Sequence, residues 1–279
     1  MNKEHKQAVL GLTLVIPSFL LLLVVVVVPI IQSFLESLQS EAGGYDLSRY
    51  AYLFTDKGMR ANIRFTLEIT VISCVLVLLV SYSLAIYMRF SSGRLVDWIR
   101  KTYLIPLFIP GVIATYGLMN LFGNHGWLSR WLALAGWEMP WVIFAAKGIV
   151  LANLWFNIPF ATMLLSSALA GIPSSVLESA KDVGAGKLMI FARILFPLSY
   201  KTFLVALTFV FMGVIGSFTA PFLVGPNSPQ MLGVAMEQVF GVFREQEQAA
   251  AIAVFTFLLC SALGVFYIRS MAKEEAERR

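Results

Sequence analysis

The sequence predicts an all-α membrane protein with six transmembrane helices, and three observations carry the prediction. Of 279 residues, 58% are hydrophobic and only 13% are charged, whereas a soluble domain carries roughly 25% charged residues. Mean hydropathy is +0.79. Uncharged runs of the ~20 residues that a helix needs to cross a hydrocarbon core occur six times. Lipid offers backbone polar groups no partner, so such runs must be helical.

The first span covers 7–34, "QAVLGLTLVIPSFLLLLVVVVVPIIQSF". It exceeds the ~7 to 15 apolar residues of a signal-peptide core and has no small-x-small cleavage site, so it is expected to remain in the mature chain. After it, "LSRYAYLFTD" has the aromatic spacing of a surface helix. The second span is placed at 69–88 and the third at 102–124. Trp127, Trp131, Trp137 and Trp141 then read as interfacial anchors. The fourth span, 148–170, carries Pro159, and the fifth, 202–224, carries Pro221; both prolines are expected to be kinks. The sixth span is 248–268, and the tail "RSMAKEEAERR" reads as its solvated end. No linker or internal repeat divides 1–279, so one transmembrane domain is expected.

Charge sets the expected orientation. With both termini in the cytoplasm, the inner segments hold about twice as many Lys and Arg as the outer ones, and basic residues are retained on the cytoplasmic side. The inner set includes Lys3, Lys6, Arg89, Arg100, Lys181, Lys187, Arg193, Lys273, Arg278 and Arg279. The formal charge of +5 follows from this bias. It is spread over short loops and forms no single basic face, so no nucleic-acid partner is implied. Cys74 and Cys260 fall within apolar spans and read as small buried hydrophobes. His5 and His125 stand alone. With no His, Cys or carboxylate cluster at ligand spacing and no Ser, His and Asp set, neither a metal site, a cofactor nor a catalytic centre is expected.

The loop after the fourth span carries the most specific signal. "SSVLESAKDVGAGKLMIFARILF" contains GAGK, the end of a nucleotide-binding loop in other contexts. Such a loop requires an earlier Gly, a following Ser or Thr, and a place between a strand and a helix. Lys181 and Leu188 occupy the first two positions, and the preceding residues read as a helix. Ser175 is placed to cap that helix, and Glu178 three residues on would close a capping box. Val176, Ala180 and Val183 share one apolar face, Glu178, Lys181 and Asp182 project from the rest, and Gly184 would end the helix in a left-handed conformation. A second short segment, 185–194, is expected to lead to Pro197 and the fifth span.

Glu178, Ala180, Gly184, Ala185, Phe191, Ile194 and Pro197 resemble the EAA motif of ABC importer permeases, with Ser179 and Phe196 as departures. The resemblance extends to the six spans, to "NLWFNIPFATMLLSSALAGIP" before the motif and to a Gly-Pro loop after span five. It implies a type I importer permease in the bacterial cytoplasmic (inner) membrane, multi-pass and non-catalytic. Its motif, about 174–194, would form a cytoplasmic coupling helix docking on a separate ABC ATPase dimer that hydrolyses ATP. Ser175, Val176, Glu178, Ala180, Lys181, Asp182, Gly184 and Lys187 would serve that coupling. The implied partners also include a second permease subunit, more often a different chain, an extracytoplasmic substrate-binding protein, and membrane lipid.

Polar residues within spans are costly in lipid unless they face a partner or a water-filled cavity. Glu68, Asn153, Asn157, Ser217 and Thr219 are such residues; Glu68, Asn157, Ser217 and Thr219 are candidates for the translocation path. The alternatives are an interfacial carboxylate for Glu68 and hydroxyls bonded to their own helix for Ser217 and Thr219. The stretch "GSFTAPFLVGPNSPQML" looks most like the branch serving polyamines, iron, opines and phosphonates, which suggests a polyamine with Glu68 as counter-charge. A secondary transporter driven by an ion gradient is the rival reading. It would need coupling carboxylates deep in the spans, and none is placed there.

Overall fold

The computed structural model describes residues 3–40 and 43–277, with side chains from 11–40 and 43–269. Arg278 and Arg279 of the tail, and the side chains of Lys3, Lys6 and Lys273, lie outside the described residues. The described chain is helical, with one isolated antiparallel bridge between Gln39 and Tyr45. Five helices are long and apolar enough to cross a membrane: Gly11–Ser37, Lys57–Phe90, Ala146–Ala170, Lys187–Ile215 and Gln246–Arg269. A sixth crossing arises if Arg94–Phe108 and Gly111–Leu134 form one broken span.

That pair corrects the third expected span. The run 102–124 is uncharged, but the chain bends by 111° between the two helices. Pro106 and Pro110 remove backbone donors there, and Ile109 is extended at φ −92°, ψ 122°. The fifth span is also displaced. Its helix runs from Lys187 through a π-turn at Phe191–Leu195 to Ile215, then stops at Gly216. Residues 219–224 form a separate short helix, with Pro221 in its first turn where a missing donor costs nothing. Pro159, by contrast, lies inside an unbroken Ala146–Ala170 helix.

Two compact units are resolved, Met1–Met59 with Met236–Phe257, and Arg60–Ala235 with Leu258–Arg279. In the first, the surface helix Ser48–Thr55 forms as the aromatic spacing predicts. Tyr50 bonds Ser37 through their hydroxyls at 2.6 Å, and Phe54 meets Phe255 edge to face at 5.7 Å. Asp46 opens this helix by accepting from the Ser48 amide at 2.8 Å. Hydrogen bonds from the Ser40 and Ser48 side chains hold its carboxyl down at about 2.

The second unit is organised by two polar ties and by apolar clusters around the Ala146–Ala170 helix. Asn153, buried, donates to Ser73 at 3.1 Å, and Ser81 donates to the Ile158 carbonyl at 3.2 Å. Both bonds join the second span to the fourth. One cluster gathers Ile69, Cys74, Val77, Ile149, Val210, Val214 and Met231. A second gathers Leu78, Tyr82, Leu165, Leu169, Leu177, Ile190 and Leu195, where the Tyr82 hydroxyl lies 2.5 Å from that of Ser199.

Candidate functional site

The helix between the fourth and fifth long helices spans Ser174–Asp182. It begins two residues earlier than the capping-box reading allows: Pro173, extended, occupies the N-cap position, and no side chain caps the helix. Ser175 is therefore not a cap. The turn into the helix is held from outside. Arg89, in the last turn of Lys57–Phe90, donates to the Ile172 carbonyl at 2.9 Å and reaches Ser174 Oγ at 3.5 Å.

Its other end is built as the glycine predicts. Gly184 has φ +82°, and no atom lies within 4 Å of where its Cβ would be. The Ala185 amide donates to Ala180 at 2.9 Å and the Gly184 amide to Lys181 at 2.8 Å. This nested pair is the Schellman arrangement, which satisfies the last helical carbonyls. GAGK is thus a turn between two helices. Lys187 already belongs to the fifth helix, so the separate 185–194 segment expected from sequence does not form.

The face assignment needs correction. Leu177, only 5% exposed, packs into the cluster with Leu78, Tyr82 and Leu165, and Ala180 and Ala185 lie against it. Val176 and Val183 are 41% and 85% exposed. The inward stripe therefore runs through 177 and 180: Leu177 has more apolar surface to remove from water than either valine. What faces away is a mixed surface of Val176, Val183 and Leu188 with the exposed Glu178, Lys181, Asp182 and Lys187.

The four path candidates are unequally placed. Glu68 is exposed and paired with Arg64 at 2.6 Å, one helical turn away. Asn157, partly buried, donates to the Asn153 carbonyl at 2.9 Å, and its Oδ1 would sit 3.1 Å from a Cβ at Gly213. The glycine thus lets the fourth and fifth helices meet at an amide. Ser217 donates to its own chain at Val214, 2.7 Å, and approaches Met231 Sδ at 3.9 Å. Thr219, partly buried, starts the short helix after the break. Met231 packs with Ile69 and Val214, so the cluster joins chain neighbours of Glu68 and Ser217 without joining the two side chains themselves.

Sequence reasoning missed the residues that hold the 225–231 loop. Asn62 accepts from the Gln230 amide at 2.8 Å, and Thr66 accepts from the Leu232 amide at 2.9 Å. Asn62 lies just before the uncharged run and carried no signal, while Arg89 counted only as one of many inner charges. Among the described residues no three of His, Cys, Asp and Glu stand where they could hold a metal ion.

No protein-family model matches the chain. The molybdenum transport system permease protein ModB of Azotobacter vinelandii is 27% identical over 73% of this chain and 92% of its own length. The thiamine transport system permease protein ThiP of Haemophilus influenzae is 28% identical over 75% of this chain, which spans only 39% of that protein. In fold, a chain of a bacterial ABC transporter involved in the import of the acidic polysaccharide alginate superposes with a TM-score of 0.84 at 17% identity, covering 97% of this chain and 98% of its own.

Proposed function

Because the chain belongs with the permease subunits of ABC importers, multi-pass proteins of the bacterial inner membrane, we propose that it is the membrane subunit of a binding-protein-dependent importer. In this reading residues 1–279 act as one permease domain forming half of a translocation path. The observation that carries it is the Ser174–Asp182 helix, anchored inward through Leu177, with Val176 on it and Val183 and Leu188 just after it exposed beside charges. An exposed apolar patch rimmed by polar groups is the mark of a protein partner. We assign that partner as a cytoplasmic ATPase dimer, which would supply the ATP hydrolysis. Closure of the dimer would pull on the helix and rock the spans between inward and outward access.

Each chain offers one such helix, so a second permease completes the pair, and an extracytoplasmic binding protein delivers the solute. The polyamine reading has no support: the relatives are named for molybdenum and thiamine, and Glu68, its proposed counter-charge, is already paired with Arg64. The substrate class follows from the cognate binding protein. An ion-driven transporter is not favoured, since the relatives are named as transport system permease proteins and the chain shares its fold with a chain of an ABC transporter. The test is affinity purification of the tagged chain from native membranes. Recovery of an ABC ATPase is expected; reproducible absence of one overturns the proposal.

A further inference from the structure

A cavity of about 350 Å³ opens where the ends of three helices meet, Lys57–Phe90, Arg94–Thr102 and Ala146–Ala170. Its polar lining comprises Arg89, Arg100, Tyr103 and Ser166, and Ala85 and Ala170 keep it open by their small size. Two guanidinium groups therefore share one pocket, and no carboxylate lines it. Arg89 uses one N–H on the Ile172 carbonyl, and Arg100 donates to the Met88 carbonyl. Each guanidinium has five donors in a planar fork, so most remain for a ligand. Asp97 approaches Arg100 Nη1 only at 3.7 Å, on a side chain that is 61% exposed. Helix C-termini repel anions, but here Arg100 already covers a last-turn carbonyl of Lys57–Phe90, and Arg89 covers the Ile172 carbonyl just past Ala146–Ala170.

Two further observations point to a ligand and to its source. The Ser166 hydroxyl is buried and has no hydrogen-bond partner, an uncompensated cost that a ligand oxygen would remove. The Arg94–Thr102 helix beside the pocket exposes Leu95 and Trp98, 61% and 63%, together with Arg94 and Lys101. Exposed Leu and Trp on a basic helix are the pattern of a segment lying in the headgroup layer. Basic pockets between membrane helices at that depth bind phosphate-bearing headgroups.

We propose that this cavity binds a phosphate-type oxyanion, and that the headgroup of an anionic phospholipid supplies it. Arg89 and Arg100 would fork the phosphate oxygens, Ser166 would donate its free proton to a third, and Tyr103 would close the pocket. Arg89 also holds the turn into Ser174–Asp182, so an occupied pocket would steady the start of that helix. The binding itself does not depend on the transport reading.

The test uses the full-length chain purified from membranes in detergent, titrated separately with phosphatidylglycerol, phosphatidylcholine and inorganic phosphate. Binding is followed by native mass spectrometry for the lipids and by calorimetry for phosphate. Preferential retention of phosphatidylglycerol is expected, weakened at least about fivefold by either Arg100→Gln or Ser166→Ala, the scale of losing one charge-assisted hydrogen bond. Arg130→Gln, elsewhere on the surface, should leave it unchanged. Ser166→Ala removes a single atom, so its melting temperature should match the parent and separate lost binding from lost folding. Saturable phosphate binding with the same sensitivity to the variants supports the oxyanion site and assigns it to a soluble ion. Equal retention of both lipids with no phosphate binding, or indifference to both variants, overturns the proposal.

Discussion

At the scale of single residues, Gly184 separates backbone from packing. Its φ of +82° is the left-handed region, and the space around it is open, so a side chain there clashes with nothing and still strains the chain. A β-branched residue in that conformation costs roughly 1–2 kcal/mol, whereas Asn visits it readily. Gly184→Val should therefore leave membrane insertion intact but loosen the Schellman turn, raising protease sensitivity around 174–190 and lowering recovery of the ATPase. Gly184→Asn should behave as the parent. If the two variants behave alike, the glycine is not required for its conformation.

At the scale of elements, the Ser174–Asp182 helix and the turn after it carry apolar groups with different duties, Leu177 packed inward and Val183 and Leu188 exposed. Leu177→Ala would open a cavity in the cluster beneath it and should destabilise the chain by about 2–5 kcal/mol, seen as a lower melting temperature in detergent. Val183→Ser with Leu188→Ser removes only exposed groups, 85% and 80% accessible, and should shift stability by no more than about 0.5 kcal/mol. The double variant should nonetheless lose its ATPase in a pull-down. The same element shows what a sequence discloses. The stop at Gly184 was legible because one residue type supplies one backbone conformation. The start was not, because Pro173 and Arg89, which is 83 residues from the Ile172 carbonyl it holds, replace the local cap that Ser175 and Glu178 spell out. The inward face was misread because periodicity groups residues into stripes and leaves open which stripe meets the core; that depends on the depth of the pocket Leu177 fills. Span existence was legible from uncharged length, while the break in the third span required knowing that two prolines would act together. Of the path candidates, Ser217 bonds its own chain, an arrangement the sequence allowed as an alternative. The loop ties from Asn62 and Thr66 are contacts across more than 160 residues that no local pattern encodes.

At the scale of the whole molecule, the bend of 111° between Arg94–Phe108 and Gly111–Leu134 decides the topology. If the pair crosses, the chain has six spans, both termini share the cytoplasm, and Lys181, Lys187 and Arg193 stay inside. If it doubles back, only five helices cross, and those three basic residues are carried to the outer side. Retention of Lys and Arg in short cytoplasmic loops favours the crossing. Single cysteines in a Cys74→Ala, Cys260→Ala background give a direct readout with a membrane-impermeant maleimide on intact spheroplasts. Ser92→Cys and Ser179→Cys should react only after lysis, and His125→Cys and Glu245→Cys should react before it. A doubled-back pair reverses the last three positions and leaves Ser92 inside, so reaction of Ser179→Cys from outside, together with protection of His125→Cys, would place the coupling helix beyond reach of any cytoplasmic ATPase.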